Sequence, residues 1–288
     1  MMSSTVVFAL LSLVCAGAND VVFKRYAAKE RSRGAYIFGI GIVWAVLQST
    51  LAAGTGVDIV PSSATLGYGL LAGVLLTVSN LCLLESLTHI DASLGSTIYR
   101  LNTVGVVILS VLFLNETPGG LALGGVGLGI VAVFLLYRRE GHGEATGRRF
   151  ALFFGLAVLA SFCRATYGVV SKAGLADGAG LQSMLVIAAL SWIVGGAGYA
   201  LLREKRLKIT GKKAAYSLLS GILVFLIVNF LLLAIEHGQA SIAIPIANMS
   251  FVVALLLSVG LGMERLTARK LAAVVLSVGS LLLLSLAH

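Results

Sequence analysis

Charged residues are scarce in this sequence. Asp, Glu, Lys and Arg make up only 11% of its 288 residues, against about 25% in soluble domains. Apolar residues make up 58% of the chain, and its mean hydropathy is +1.01. A chain with so little charge cannot cover itself with a water-facing surface, which excludes an ordinary soluble domain. We expect the lipid bilayer to be its solvent.

Residues and motifs that support covalent chemistry are also scarce. The three cysteines, Cys15, Cys82 and Cys163, lie in separate apolar segments without CxxC or Cys/His spacing, which predicts packing roles. No GxxxxGK[ST], HExxH or GxSxG sequence occurs. Asp20 and Glu85 come nearest to a pair of intramembrane acids, but each lies near the end of an apolar run. We therefore predict no catalytic residue, no metal site and no cofactor, and a protein that is not an enzyme.

Basic residues outnumber acidic ones, 21 to 12, giving a net charge of +9. Such a charge favours nucleic-acid binding only where the basic side chains share one surface. In this chain they stand in short clusters between apolar runs, a pattern typical of membrane topology. Nucleic acid is therefore not an expected partner.

Apolar runs that can cross a bilayer recur ten times. A helix needs about 20 apolar residues to cross a hydrocarbon core of roughly 30 Å. The predicted spans cover residues 4–25, 35–53, 66–88, 92–114, 118–137, 151–172, 181–202, 214–236, 240–262 and 267–287. No Lys or Arg precedes the first run, so we expect a retained span rather than a signal peptide. The predicted fold class is an all-α integral membrane protein with ten transmembrane helices.

The second half of the chain repeats the first. Shifting the sequence by 148 positions aligns rare residues: Cys15 with Cys163, Lys24 with Lys172, Trp44 with Trp192, His89 with His237, and Glu116 with Glu264. The chain has only two tryptophans, and they align with each other. We predict two five-helix repeats, residues 1–140 and 149–288. Since five is odd, the second repeat enters the membrane from the opposite side, so the repeats have inverted topology.

The basic residues report membrane orientation. Counted together with the charged residues at the adjoining span ends, the segments that follow spans 1, 5, 7 and 9 carry 5, 4, 6 and 3 Lys or Arg, whereas those after spans 2, 4, 6 and 8 carry 0, 0, 1 and 0. The positive-inside rule then places both termini on the outer side of the membrane. Inverted repeats recur in secondary transporters, whose substrate sites lie near the bilayer midplane between the two halves.

Polar side chains inside spans are costly and indicate function when they face an interior cavity. The predicted substrate-binding residues are Asn19, Asn80, Tyr99, Asn102, Arg164, Tyr167, Asn229 and Asn248. The amides suit a zwitterionic substrate, and they equally suit hydrogen bonds between helices. Arg164 suits a substrate carboxylate; the alternative is pairing with backbone carbonyls or snorkelling outward.

A second predicted group consists of charged residues toward the inner side. Arg100 lies about 12 Å inside the fourth span, taking 1.5 Å per residue, and a guanidinium at that depth needs a partner or water. The carboxylates of Asp20 and Glu85 lie near the inner ends of spans 1 and 3. These three residues form either a gating or structural ion pair, or part of the substrate site. Pro245 predicts a kink in span 9, which either is inert or frees carbonyls toward a cavity.

The two five-helix halves, the short loops and a Glu after spans 4 and 9 (Asn115-Glu116-Thr117 and Met263-Glu264-Arg265) resemble the EamA-type repeats of the drug/metabolite transporter superfamily. The run from Cys15 to Lys24 and the chain length resemble, within it, the bacterial exporters of aromatic amino acids. The resemblance implies a basket of ten helices with a central cavity lined by helices 1, 3, 4, 6, 8 and 9.

The resemblance also implies export of aromatic and related amino acids across a bacterial inner membrane, with a small molecule and the bilayer as partners. Tyr99, Phe162 and Tyr167 offer aromatic contact surface for such a substrate. The alternatives are another cargo of the superfamily, such as a nucleotide sugar, a purine or a cationic drug, or a membrane protein that does not transport. The sequence leaves the oligomeric state open and is compatible with a monomer.

Overall fold

The computed structural model describes residues 4–27, 32–56, 62–86, 98–136, 148–205, 207, 209–263 and 266–287. These residues are helical apart from turns and short connections, and no strand occurs among them. The helices are α1 (Ser4–Ala27), α2 (Arg33–Gly54), α3 (Ser63–Ser86), α4 (Asn102–Leu114), α5 (Gly120–Leu136), α6 (Arg148–Ala176), α7 (Leu181–Leu202), α8 (Gly211–His237), α9 (Ala240–Asn248), α10 (Ser250–Gly260) and α11 (Ala268–Leu286).

The predicted fold class is confirmed: the chain is all-α, with ten apolar helices arranged as two repeats. Within the described residues, eight helices are long and apolar enough to span a bilayer, when α9 and α10 are counted together as Ala240–Gly260. Two shorter apolar helices, Ile98–Leu114 and Gly120–Leu135, correspond to predicted spans 4 and 5. Residues 92–97 of predicted span 4 lie outside the described residues. The repeat boundaries, 1–140 and 149–288, stay a prediction.

Hydroxyl side chains begin three helices at the same end of the bundle. The side chains of Ser32, Thr210 and Thr267 accept backbone N–H bonds at the N-termini of α2, α8 and α11, which satisfies amides that have no partner within their helix. Arg33 and Arg203 lie at this end. We call it the basic end: α1, α3 and α7 end there, and α2 and α8 begin there.

The helices pack mainly on helices of the other half of the chain. The most extensive contacts join α2 to α7, α3 to α6, α1 to α8, and α5 to α11. Shifting by 148 positions exchanges α3–α6 with α8–α1, so the packing repeats the internal symmetry of the sequence. At the centre, the rings of Trp44 and Trp192 meet edge to face, with centroids 5.8 Å apart. Each repeat therefore completes its core with the other.

Spans 4 and 9 are each broken at equivalent positions. In span 9 the break falls at Met249, whose N–H donates to the Ile246 carbonyl at 3.1 Å. In span 4 it falls at Leu101, whose N–H donates to the Ile98 carbonyl, also at 3.1 Å. Leu101 and Met249 are 148 positions apart, so the break is a feature of the repeat. Helix α9 continues through Pro245 to Asn248, so the interruption predicted at Pro245 is found four residues later, at Met249.

Large apolar side chains cover the outside of the bundle. Phe113, Val194, Leu202 and Leu286 are among the most exposed residues of the described chain. A surface of this kind is stable only against hydrocarbon. The protein is therefore a multi-pass membrane protein.

Candidate functional site

An ion pair joins α1 to the residues just before α4. Arg100 Nη2 lies 3.0 Å from Asp20 Oδ2, and the two side chains are 20% and 41% exposed. Asp20 is held in α1 and Arg100 in the short turn of helix that precedes the Leu101 break. The structure thus gives the deeply placed guanidinium the carboxylate partner that its depth requires.

The same guanidinium contacts the break in span 9. Arg100 Nη1 donates to the Asn248 carbonyl at 3.0 Å and to Ser250 Oγ at 3.3 Å. Ser250 Oγ in turn donates to Asp20 Oδ2 at 3.1 Å. The Phe251 ring centroid lies 5.0 Å from Arg100 Cζ, within cation–π range. One side chain therefore ties α1, span 4 and the broken span 9 together.

Amide contacts repeat this arrangement across the internal symmetry. Asn248 stands 148 positions after Arg100, and its Nδ2 donates to Asn102 Oδ1 at 2.5 Å and Thr103 Oγ1 at 3.0 Å. Asn102 is in turn the repeat counterpart of Ser250, which Arg100 contacts. Both broken spans therefore bond to each other through equivalent positions. For Asn102 and Asn248 the structure shows hydrogen bonds between helices; a role in binding substrate stays a prediction.

Glu85 lies in a separate cluster at the basic end. Its carboxylate pairs with Arg33 at 3.1 Å and Arg203 at 3.2 Å and accepts the Tyr199 hydroxyl at 2.5 Å. The structure therefore brings Asp20 to Arg100 but leaves Glu85 out of that pair. The reason is geometric: α2 begins and α7 ends beside the last turn of α3, so both arginines reach Glu85 from outside the spans.

A second acid reinforces this cluster. Glu204 accepts the backbone N–H of Arg33 at 2.8 Å and of Gly34 at 3.3 Å, and it also accepts the Ser32 hydroxyl. A carboxylate at a helix N-terminus is stabilised by the exposed amides. The hydrogen bond to Glu85 raises the pKa of Arg203, which lies just beyond the membrane-spanning part of α7. Like other arginines, Arg203 is charged throughout the physiological range.

Arg164 has no acidic partner in the part of the chain that the structure describes. Its guanidinium lies over the ring of Tyr167, 5.4 Å from the centroid, and it has no ion pair or hydrogen bond with any other described residue. Arg164 is half-buried in α6, whereas Tyr167 is fully buried. A positively charged side chain that lies inside a span and has no carboxylate partner is available to an anionic group of a ligand. Tyr99, half-buried beside the Leu101 break, is the third predicted residue of this region.

Two predicted amides sit on the helices between these groups. Asn80 in α3 is half-buried, and its Nδ2 donates to the Leu76 carbonyl of its own helix at 2.8 Å. Asn19 in α1 precedes Asp20, and its Oδ1 is buried with no hydrogen-bond partner among the described residues. An unpaired buried acceptor costs about 1–3 kcal/mol. Asn19 is therefore the predicted amide with the strongest need for a donor from a bound molecule.

Asn229 belongs to a cluster that the sequence analysis did not identify. Its side chain exchanges two hydrogen bonds with Gln48, at 2.8 and 3.1 Å. Gln48 also accepts from Trp44 Nε1 at 3.2 Å and donates to Gln182 Oε1 at 2.5 Å. These contacts join α2, α7 and α8 away from the basic end. A fully buried glutamine in the apolar run 35–53 was the available signal, because buried amides require partners.

A cavity of about 360 Å³ lies at the end opposite the basic end. Glu116 and Lys172 line it, together with Gln239 and Ile242. The Glu116 carboxylate accepts the first backbone N–H groups of α9, at 2.7 and 2.9 Å. Lys172 Nζ donates to the Ile235 carbonyl in the last turn of α8 at 2.6 Å. Each charge therefore complements the helix terminus it contacts, and together they hold the turn between α8 and α9.

The fold is shared with solved structures. One crystal structure superposes with a TM-score of 0.85 over 98% of this chain and 96% of the other, at 13% sequence identity. At that identity the similarity establishes the fold alone. No curated protein sequence matches the chain significantly.

The sequence profile of the EamA-like transporter family matches residues 3–138 and again residues 152–286. The two matches cover both halves of the chain and nearly all of its length. They agree with the 148-residue repeat, the paired helix breaks and the apolar outer surface. The members of this family are transporters rather than enzymes. The chain therefore belongs to the EamA-like transporter family, within the drug/metabolite transporter superfamily, and is a multi-pass membrane transporter.

Proposed function

We propose that this transporter exports small metabolites, aromatic and related amino acids foremost, by alternating access around a central cavity. The observation that carries the choice of cargo is Arg164, a guanidinium inside a span that contacts a tyrosine ring and has no acid among the described residues. It supplies a positive charge for a substrate carboxylate and sits beside an aromatic surface. A cationic cargo is disfavoured at such a position.

The remaining polar groups suit the other parts of an amino acid. Asn19 carries a buried carbonyl oxygen without a donor, which a substrate ammonium group satisfies. Tyr99 and Asn80 are half-buried and complete the proposed site. We assign Asn102, Asn229 and Asn248 to the edge of this site, because each already bonds to another helix or lies within an amide cluster.

In the proposed movement, the cavity is closed at one end of the bundle while it is open at the other, and the two ends alternate. The cluster around Glu85 links α2, α3 and α7 at the basic end, and the Asp20–Arg100 pair lies deeper. Both serve as ion pairs that hold this side closed. The two repeats, residues 1–140 and 149–288, act as the moving halves.

The charge distribution supports the orientation. Clusters of Lys and Arg flank the basic end, so we place it in the cytoplasm and both termini on the periplasmic side of a bacterial inner membrane. In that orientation the transporter releases its cargo at the end that carries Glu116 and Asp177.

A binding measurement tests the choice of cargo. L-Phenylalanine is expected to raise the Tm of the purified protein, whereas phenethylamine, which lacks the carboxylate, leaves it unchanged. Loss of a charged hydrogen bond costs about 1.5–3 kcal/mol, so Arg164→Ala is expected to weaken phenylalanine binding at least about tenfold. Thr50→Val is the matched control, because Thr50 is exposed and bonds only to its own helix.

Two results would contradict this cargo. Stabilisation by phenethylamine as large as that by phenylalanine would show that no carboxylate is recognised. Stabilisation only by a purine or a nucleotide sugar would transfer the proposal to that cargo of the same superfamily.

A further inference from the structure

The environment of Arg100 has the composition of a cation site. Three oxygens surround the guanidinium: a carboxylate from Asp20 at 3.0 Å, a backbone carbonyl from Asn248 at 3.0 Å, and a hydroxyl from Ser250 at 3.3 Å. The Phe251 ring adds a fourth, π-type contact. Carboxylate, carbonyl and hydroxyl oxygens are also the ligands that hard cations take in proteins.

The position in the fold is equally typical of a cation site. The carbonyl comes from the C-terminal end of α9, where the break at Met249 removes Asn248 from a continuous helix. The C-terminal end of a helix carries partial negative charge. In transporters with discontinuous helices, unwound carbonyls of this kind coordinate the coupling ion near the midplane.

Arg100 has no charged counterpart in the second repeat, so among the described residues one positive charge lies where spans 4 and 9 cross. The residue equivalent to Arg100 in the second repeat is Asn248, a neutral amide that bonds to Asn102 and Thr103. The acid in contact is likewise single, since Asp20 aligns with Gly168. Among the described residues, the crossing of the two broken spans therefore has one arginine and one aspartate, and the arginine belongs to the chain itself.

We infer that Arg100 is a tethered cation that occupies the place of a free coupling ion at the crossing of the two broken spans. Transport then proceeds without Na⁺ binding at Asp20, and removal of the guanidinium exposes a site for a free monovalent cation. The inference rests on the transport activity of the family and is independent of the cargo. An ion pair that only braces the helices would leave no such site.

Thermal unfolding of the purified full-length protein tests this without any cargo. The parent is expected to have the same Tm in NaCl and in choline chloride at equal ionic strength. Arg100→Ala is expected to have a lower Tm, which millimolar guanidinium chloride or Na⁺ raises by at least about 2 °C. Asp20→Asn added to Arg100→Ala removes the carboxylate and is expected to abolish that gain.

Arg164→Ala is the matched control, because Arg164 has no oxygen ligand among the described residues and its removal creates no cation site. Its Tm is expected to be insensitive to guanidinium. If Arg100→Ala does not fold, Arg100→Lys answers the same question: its tethered ammonium keeps the site occupied, so guanidinium leaves its Tm unchanged.

Three outcomes would overturn the inference. The first is a parent Tm that rises with Na⁺, since the site would then be open. The second is an Arg100→Ala variant that gains no more than Arg164→Ala. The third is an Arg100→Lys variant stabilised by guanidinium. Absence of flux for every amino acid tested would contradict the proposed cargo. It would leave the inference about Arg100 unaffected, because that inference is tested by the Tm of the variants without any cargo.

Discussion

At the residue scale, two acids, Asp20 and Glu85, stabilise different parts of the helix bundle. Asp20 pairs with one half-buried guanidinium at the helix crossing, whereas Glu85 contacts two arginines and a tyrosine at the basic end. Neither acid is left without a cation. Arg164 differs from Asp20 and Glu85: among the described residues its guanidinium has no ion pair, only the contact with the Tyr167 ring. This difference separates a candidate substrate contact from structural pairs.

Glu85→Gln is expected to loosen the basic end. The amide keeps the shape of the side chain but loses the charge that Arg33 and Arg203 contact. One charged hydrogen bond is worth about 1.5 kcal/mol or more, so the open form is expected to become roughly tenfold more populated. Cys82 lies one turn before Glu85 in α3 and is half-buried. Its rate of labelling by a maleimide, in a Cys15→Ser/Cys163→Ser background, is expected to rise by the same factor.

Thr50→Val, away from the cluster, serves as the control and is expected to leave the Cys82 labelling rate unchanged. An unchanged rate in Glu85→Gln would contradict a closing role for this cluster.

The two arginines of the cluster are expected to differ. Arg33 is 35% exposed and Arg203 is 68% exposed. Exposed ion pairs are worth about 0–1 kcal/mol, because water and salt screen them. Arg33→Gln is therefore expected to lower the Tm more than Arg203→Gln, and 0.5 M salt is expected to reduce the difference. A larger loss from Arg203→Gln would contradict this ranking.

At this scale the sequence predicted the need for a partner better than its identity. Its depth predicted that Arg100 needs a partner or water, and in the structure Asp20 pairs with it whereas Glu85 does not. The partners of Glu85 could not be predicted, because Arg33 and Arg203 lie just outside the predicted spans 35–53 and 181–202, and their positions depend on how α2 and α7 pack. Gln48 was not predicted as a site residue, although its side-chain amide in an apolar run has the same hydrogen-bonding groups as the asparagines that were.

At the element scale, α2 and α7 cross at backbone contact. A Cβ added to Gly196 would lie 2.4 Å from the Phe38 backbone nitrogen and 3.0 Å from the Gly34 carbonyl. A backbone neighbour cannot turn aside as a side chain can. The crossing therefore requires glycine at this position, as small residues do at other membrane helix interfaces.

Gly196→Ala is expected to force α2 and α7 apart and to lower the Tm by about 5 °C, from an overpacking cost of 1–3 kcal/mol. Gly198→Ala, two residues later in the same helix, has no atom within 4 Å of the added Cβ. It is expected to raise the Tm slightly, because alanine favours a helix over glycine by about 0.8–1.0 kcal/mol. Equal effects of the two substitutions on thermal unfolding would contradict the close crossing.

The helix breaks show what a local pattern predicts and what it misses. Pro245 predicted an interruption in span 9, whereas nothing comparable marked Leu101, where span 4 breaks with the same hydrogen bonds. Thr97 stands at the position equivalent to Pro245, so proline is not required for the break. The tertiary contacts of Arg100 and Asn248 at the crossing hold both breaks.

Pro245→Thr is therefore expected to keep the break at Met249. We expect the variant to fold, with a Tm within about 3 °C of the parent, a change of about 1 kcal/mol. The same measurement on Asn248→Leu, which removes the bonds to Asn102 and Thr103, is expected to show the larger loss. A Pro245→Thr variant that fails to fold would make proline the cause of the break.

At the scale of the whole molecule, most of the fold could be predicted from the sequence. The 148-residue repeat and the ten apolar runs required a bundle of two five-helix halves, because the bilayer leaves helices few alternatives. The pairing of helices between halves, α1 with α8 and α3 with α6, did not follow from periodicity. It depends on contacts between residues far apart in sequence, such as the hydrogen bonds that Ser12 donates to the Ile227 carbonyl and Ser79 to the Ala160 carbonyl.

The membrane orientation is a prediction at the same scale. Both termini are expected on the periplasmic side, since Lys and Arg cluster at the basic end. Alkaline phosphatase fused after Ala287 is expected to be active, and a fusion after Thr210 inactive, when each is expressed in bacteria. The reverse pattern would contradict the orientation and with it the direction of export.

We propose that the protein moves aromatic amino acids across a membrane through a site that contains Arg164. Counterflow of labelled phenylalanine and tryptophan into preloaded proteoliposomes tests it most directly, with Arg164→Ala and Tyr99→Ala reconstituted beside the parent and folding checked for each. Saturable uptake is expected for the parent, and an uptake at least about tenfold lower for folded Arg164→Ala. Folded parent protein without uptake of either amino acid would contradict it.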